Sequence, residues 1–161
     1  MIVVSDASPV NILIRVGCAN VLHELFGSVV IPPAVAAELS HPSTPESVRT
    51  WIANHPEWLD VKAPQHVDRT LTVGPGEREA ISLAIELAAD LLLVDDKKAR
   101  HAAQDRGLSI TGAIGVLQLG AAQGLLHLPT VVEQIRATDF IIAPAILDEA
   151  LRSDAANRNQ S

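Results

Sequence analysis

Two short apolar runs constrain this chain more than any other feature. Residues 91–94 are apolar throughout, and residues 2–5 are apolar up to Ser5. Strands of that kind are covered on both faces, as in a parallel sheet flanked by helices. Three further runs, 29–31, 59–61 and 109–110, read as strands of the same sheet. Helical patterns alternate with them. Residues 9–16 and 19–25 form two short helices, and Pro33 opens a third as its first helical residue. Residues 45–54 are amphipathic around Val48 and Ile52. Residues 77–88 place Ile81, Ala84, Ile85 and Ala88 on one stripe. Gly107 and Gly124 stop the helices after the fourth and fifth strands. Two more helices, 130–137 and 144–152, close the pattern. The expectation is an α/β protein of three layers, α/β/α, with a central parallel sheet of about five strands. Residues 1–152 are expected to form a single domain, and the polar residues 153–161 a disordered tail. The connector 62–76 is the one long linker, expected to lie mobile over the site.

Both apolar strands run directly into carboxylates, Asp6 after the first and Asp95–Asp96 after the fourth. Ligands of open parallel sheets bind beyond the carboxyl ends of the strands, so these acids stand on the functional edge. Glu77 is brought there by arithmetic. The helix it opens rises about 18 Å at roughly 1.5 Å per residue, and the returning strand covers about 16 Å at roughly 3.3 Å per residue. Glu77 also precedes Ile81 by four residues, on the sheet-facing flank, whereas Glu79 aligns with the more exposed Ser82 and Glu86. Glu38 lies in the helix after the second strand, and its side chain leans back toward the helix start and the same edge.

Asp6, Glu77 and Asp95 also have plain structural roles open to them. Asp6 can cap the next helix, Glu77 can favour a helix dipole, and Asp95 can belong to a surface charge cluster with Lys97 and Lys98. Four carboxylates on one edge repel one another and resist ionisation. A hard divalent cation relieves that conflict, and all-oxygen ligation favours Mg²⁺ or Mn²⁺ over Zn²⁺. Such ions can activate water and steady the leaving oxygen of a phosphodiester.

The net charge of −7 argues against a passive nucleic-acid binder. It fits a site that demands cations. With 2% aromatic residues and no Tyr, stacking on bases is not an available mode of recognition. Cys18 is the sole cysteine, which excludes an internal disulfide and a Cys-based metal site and fits a reducing, cytoplasmic setting. The start, MIVVSDASP, has no signal-peptide pattern, and no apolar run is long enough to span a membrane. The six histidines show no ligand spacing, and Gly-Pro-Gly at 74–76 is a turn and not a phosphate loop, since no Lys-Ser/Thr follows.

The motifs V-V-S-D-A-S-P at 3–9, I-P-P-A-V-A-A-E-L at 31–39, G-P-G-E-R-E-A-I-S-L-A at 74–84, L-L-L-V-D-D-K-K-A-R at 91–100 and I-T-G-A-I-G-V-L at 110–117 carry a resemblance. In this order and spacing the chain resembles the PIN-domain family, over roughly residues 2–126, in a prokaryotic branch related to VapC-type toxins. The resemblance implies a Mg²⁺- or Mn²⁺-dependent endoribonuclease with Asp6, Glu38, Glu77 and Asp95 as catalytic and metal-holding acids. Glu77 departs from the family's more usual Asp, and Asp96 is an outer ligand candidate. RNA is the expected substrate, and a homodimer silenced by an antitoxin is the assembly this kinship implies. Lys97, Lys98 and Arg100 are candidates for contacting RNA phosphates, with a solvated charged face as the plain alternative, and Ser8 and Thr111 are candidates for positioning phosphate or metal-bound water.

Three rival readings stay open. A phosphatase of the haloacid dehalogenase type needs a second Asp where this chain has Ser8. A phosphoacceptor signalling domain needs its acidic pair after the first strand, whereas Asp95–Asp96 follows the fourth. A PIN-like binding or regulatory module with weak catalysis is the third.

Overall fold

The structure is a computed structural model that describes residues 1–159. Its elements run β1 (Val3–Ser5), α1 (Ala7–Arg15), α2 (Asn20–Phe26), β2 (Val29–Ile31), α3 (Pro33–Leu39), α4 (Glu46–Ala53), β3 (Leu59–Val61), α5 (Pro75–Glu86), β4 (Leu91–Leu93), α6 (Lys97–Asp105), β5 (Ile110–Thr111), α7 (Ala113–Ala122), α8 (Leu128–Arg136) and α9 (Pro144–Asn159). The five strands pair in the order β3-β2-β1-β4-β5, every pairing parallel. Helices cover both faces, which gives the expected three-layer α/β/α arrangement.

The apolar strands are central, as their composition requires. Val3, Val4, Leu92 and Leu93 are almost wholly buried, between layers that bury Ile12, Leu13, Ile81 and Leu117. The chain runs outward from β1 to β2 and β3, then returns to β4 on the other side of β1 and goes on to β5. The order therefore reverses between β1 and β4, and the carboxyl ends of those two strands flank the switch-point crevice. Ser5 pairs with Leu93, and the Asp6 amide donates to Leu93 O at 2.9 Å. This last rung sets Asp6 beside Asp95 in the chain's return.

Two expectations need correction. The connector 62–76 meets the acids only at its end, where Gly74 and Gly76 adjoin Glu77, Glu38 and Asp6. Its amides at Gln65 and Asp68 donate to Glu86 Oε1 and Ser82 Oγ, and Leu71 is buried, so it is pinned along α5. The polar stretch from Ser153 is helical and not disordered as far as Asn159. Asp154 is buried and pairs with Arg158 at 2.9 Å, an i,i+4 ion pair on α9, whose Leu147 and Ala150 are buried. The charge count of that stretch hid its helical spacing. Gln160 and Ser161, the rest of the expected tail, lie outside the described residues. Among the described residues no helix is long and apolar enough to cross a membrane.

Candidate functional site

A cavity of about 380 Å³ opens at the carboxyl ends of β1 and β4. Its polar wall carries Asp6, Glu38, Glu77, Asp95 and Asp96, together with Ser8. The structure thus brings all five sequence-expected acids to one place, from β1, α3, α5 and β4.

Asp6 forms the floor. It occupies the N-cap position of α1, yet its side chain makes no capping hydrogen bond. It is 4% exposed, and its Oδ1 is buried without a hydrogen-bond partner. Burial pushes its pKa from 3.8 up to about 7. The Ala7 amide opposes the rise, and the charges of Glu77, Glu38 and Asp95 add to it. A buried carboxylate oxygen with no donor is costly unless something outside the chain satisfies it.

Glu38 faces the same space from α3. The missing side chain of Gly76, in the first turn of α5, makes room for it: a Cβ there would stand 3.1 Å from Glu38 Oε1 and 3.5 Å from Asp6 Oδ1. Burial and the neighbouring charge of Glu77 raise the pKa of Glu38. Glu77 is half-buried and has two roles at once, since its Oε2 accepts from the Gly74 amide at 2.7 Å while the side chain lines the cavity. Glu79 points elsewhere and accepts from the Ala34 amide at 3.1 Å, tying α5 to the first turn of α3.

Asp95 is the best-braced acid. Ala113 N–H donates to Oδ1 at 2.8 Å and Ser8 Oγ–H to Oδ2 at 3.0 Å. Burial raises its pKa, while the Ala113 amide, the Ser8 hydroxyl and the Arg100 guanidinium pull it back. Ser8 braces Asp95 and lines the cavity. Asp96 caps α6, its Oδ2 accepting from Ala99 N at 2.9 Å, and remains exposed at the cavity edge. Lys97 and Arg100 do not line the acid cavity but a second one beside it.

The donor set and its unmet demand suit a hard cation. Every candidate ligand atom is a carboxylate oxygen, as Mg²⁺ and Mn²⁺ prefer. The orphaned Asp6 Oδ1 and the space that Gly76 leaves beside Glu38 fit such an ion, which these carboxylates would hold. The acids do not form a closed cage of their own. Among the described residues no three His, Cys, Asp or Glu side chains are close enough to hold an ion unaided. Mutual repulsion keeps bare carboxylates apart, and Glu77 and Asp95 turn toward backbone amides.

The opposite wall of the cavity escaped the sequence reading. Phe140, Ile141, Ile142, Ala143 and Ile146 lie across from the acids, carried by the segment between α8 and α9 and by the first turn of α9. Ile141 is almost fully exposed. The signal available was the apolar run F-I-I-A at 140–143 between two helical patterns.

Comparison with known proteins bears on this arrangement. A family model described as PIN domain matches residues 2–155. A solved structure, that of a PilT N-terminus domain protein from the hyperthermophilic archaeon Sulfolobus solfataricus P2, is similar in fold at 22% sequence identity and a TM-score of 0.54. The similarity covers 79% of this chain and 96% of that one. No curated protein matches the chain.

Proposed function

The chain belongs to the PIN domain family, whose members are generally nucleases, and on that premise we propose that it is a metal-dependent endoribonuclease. One observation carries the proposal: the buried, unpartnered Oδ1 of Asp6 on the floor of a cavity walled by four further acids. In this reading Asp6, Glu38, Glu77 and Asp95 hold Mg²⁺ or Mn²⁺, with Asp96 as an outer ligand. The ion would supply water activation and charge relief at a phosphodiester when bound. The chain's own groups do the rest. Ser8 and the Ala113 amide fix the direction of Asp95. Gly76 keeps the space between Glu38 and Asp6 open. Burial pushes the pKa of Asp6 up to about 7, so a cation at this site would compete with a proton near neutral pH.

The finer proposal, a toxin silenced by an antitoxin and working as a cytoplasmic homodimer, rests on the motif resemblance to VapC-type proteins. The buried single cysteine agrees with a reducing compartment. One observation favours a second reading, a PIN-like binding module of weak catalysis: Glu77 and Asp95 are engaged by backbone amides and the acids form no closed cage. Two measurements decide. Single-stranded RNA is incubated with the chain and Mg²⁺ or Mn²⁺, and Mn²⁺ binding is followed by calorimetry. Cleavage that disappears in Asp6→Asn supports the nuclease. Equal cleavage by both proteins removes Asp6 from the chemistry, and neither cleavage nor metal binding leaves the binding module.

A further inference from the structure

Beside the acids lies a second cavity, of about 500 Å³, with a different chemistry. Lys97 and Arg100 of α6, Thr111 at the end of β5 and Gln118 of α7 line it. It shares Asp95 and Ile146 with the acid cavity, so the two adjoin. Its polar side chains can all donate, apart from Asp95, whose oxygens already accept from Ser8 and Ala113.

Two glycines shape it. A Cβ on Gly112 would stand 2.5 Å from Asp95 Oδ1 and 3.1 Å from Arg100 Nη1. A Cβ on Gly115 would collide with Thr111 Oγ1. Glycine within a helix costs roughly 1 kcal/mol relative to alanine. At Gly115, inside α7, that cost is accepted at the one place where alanine would strike the threonine hydroxyl.

The two cations here differ from five arginines elsewhere in the chain. Arg15, Arg106, Arg136, Arg152 and Arg158 sit in ion pairs with Asp or Glu. Arg100 donates from Nη1 to Val94 O at 2.9 Å, its charge also acts on Asp95, and its side chain lines the cavity. Lys97 makes no ion pair or hydrogen bond among the described residues. In a chain of net charge −7, two cations held at an open cavity next to an acid site mark a place for an anion.

From this juxtaposition we infer that the second cavity binds a backbone phosphate of single-stranded RNA, next to the phosphodiester held over the acids. The inference rests on the nuclease reading for its substrate and adds where the strand runs: across Ile146 and Asp95 toward Lys97, Arg100 and the start of α7. Lys97 supplies a point charge, Arg100 and Gln118 supply directed N–H donors, and Thr111 supplies a hydroxyl.

The test compares two adjacent lysines. Lys98 is next to Lys97 in sequence but does not line the cavity. Lys97→Ala is preferred to a change at Arg100, whose bond to Val94 O also ties α6 to β4. Binding of a labelled single-stranded 12-mer RNA is measured by anisotropy across a salt series, in Asp6→Asn so that no cleavage intervenes. Lys97→Ala should weaken binding roughly tenfold and reduce the slope of log K against log salt by about 0.7. Lys98→Ala should leave both nearly unchanged, and equal losses from the two lysines overturn the assignment. A second arm titrates the wild-type chain, free of metal, with 5′-phosphorylated tetrauridylate and follows amide resonances. Shifts at Gly112, Gly115 and Gln118 that vanish in Lys97→Ala support the subsite even if Mn²⁺ gives no cleavage, in which case only the nuclease reading fails. Cleavage with the same KM in wild type and Lys97→Ala overturns the subsite and leaves the nuclease standing. No shift and no RNA binding overturns the subsite as well.

Discussion

Replacing Asp6 by Asn should stabilise the metal-free protein above neutral pH. The Asp6 carboxyl is 4% exposed, and its pKa rises from 3.8 to about 7, chiefly through burial. In the unfolded chain the same group ionises near its ordinary value. Between about pH 4 and pH 7 the folded state therefore holds a proton that the unfolded state has released. Stability must fall with rising pH across that window and level off above it. A pKa difference of one corresponds to about 1.36 kcal/mol, so the rise from 3.8 to about 7 amounts to about 4 kcal/mol at pH 8. Asn keeps the shape and carries no charge to desolvate. Asp6→Asn should then exceed the wild type at pH 8 by up to about 4 kcal/mol, or roughly 8 to 16 °C in melting temperature for a chain of this size. The two should converge near pH 4. The assay is urea or thermal unfolding from pH 4 to 8 in chelator, repeated with Mn²⁺. Under the proposed function, Mn²⁺ raises the stability of the wild type at pH 8 and leaves that of Asp6→Asn nearly unchanged. Parallel pH profiles for the two proteins in chelator would refute the burial argument, whatever happens with metal.

Four further outcomes are expected. Glu79→Ala should cost about 1 kcal/mol by removing the acceptor for the Ala34 amide, with RNA cleavage unchanged. Glu77→Ala, by contrast, should abolish cleavage, and urea titrations beside a cleavage assay separate the two. Gly76→Ala should lower Mn²⁺ affinity at least about tenfold, because its Cβ would stand 3.1 Å from Glu38 Oε1 and 3.5 Å from Asp6 Oδ1; calorimetry reads the affinity and circular dichroism the fold. Ser8→Ala removes a donor that pulls the Asp95 pKa down. The acid limb of the pH–rate profile should move to higher pH, since Asp95 then keeps its proton longer.

How much of this could be read from sequence depended on whether a feature is local. The runs ending at Ser5 and Val94 show their burial by composition alone, and their strands lie within a residue of the expected bounds. Two of the acids follow directly from those strands. Glu77 followed from a length argument that holds because α5 and β4 are joined by a short turn. What depended on packing between distant elements was not legible. Nothing in the pattern orders the sheet β3-β2-β1-β4-β5, so the switch point between β1 and β4 was unseen. The apolar wall at 140–143 depends on α9 packing against α7 and α8, and the sequence offered 62–76 as the longer and more obvious cover. Ser8 looked like a free hydroxyl because its partner, Asp95, lies 87 residues away.

The ladder between β1 and β4 divides the acids into two kinds. Asp6 and Asp95 leave neighbouring strands joined by a backbone bond at the last rung, from the Asp6 amide to Leu93 O. Their mutual distance is therefore set by the spacing of the sheet and resists change. Glu38 and Glu77 ride on α3 and α5, two helices held together by side chains such as Glu79 and Val35. Substitutions in that helix contact can slide one glutamate past the other without touching the sheet. The strand pair thus acts as the fixed jaw of a gauge and the helix pair as the adjustable one, so a preference for a smaller or larger ion would be tuned in the packing between α3 and α5.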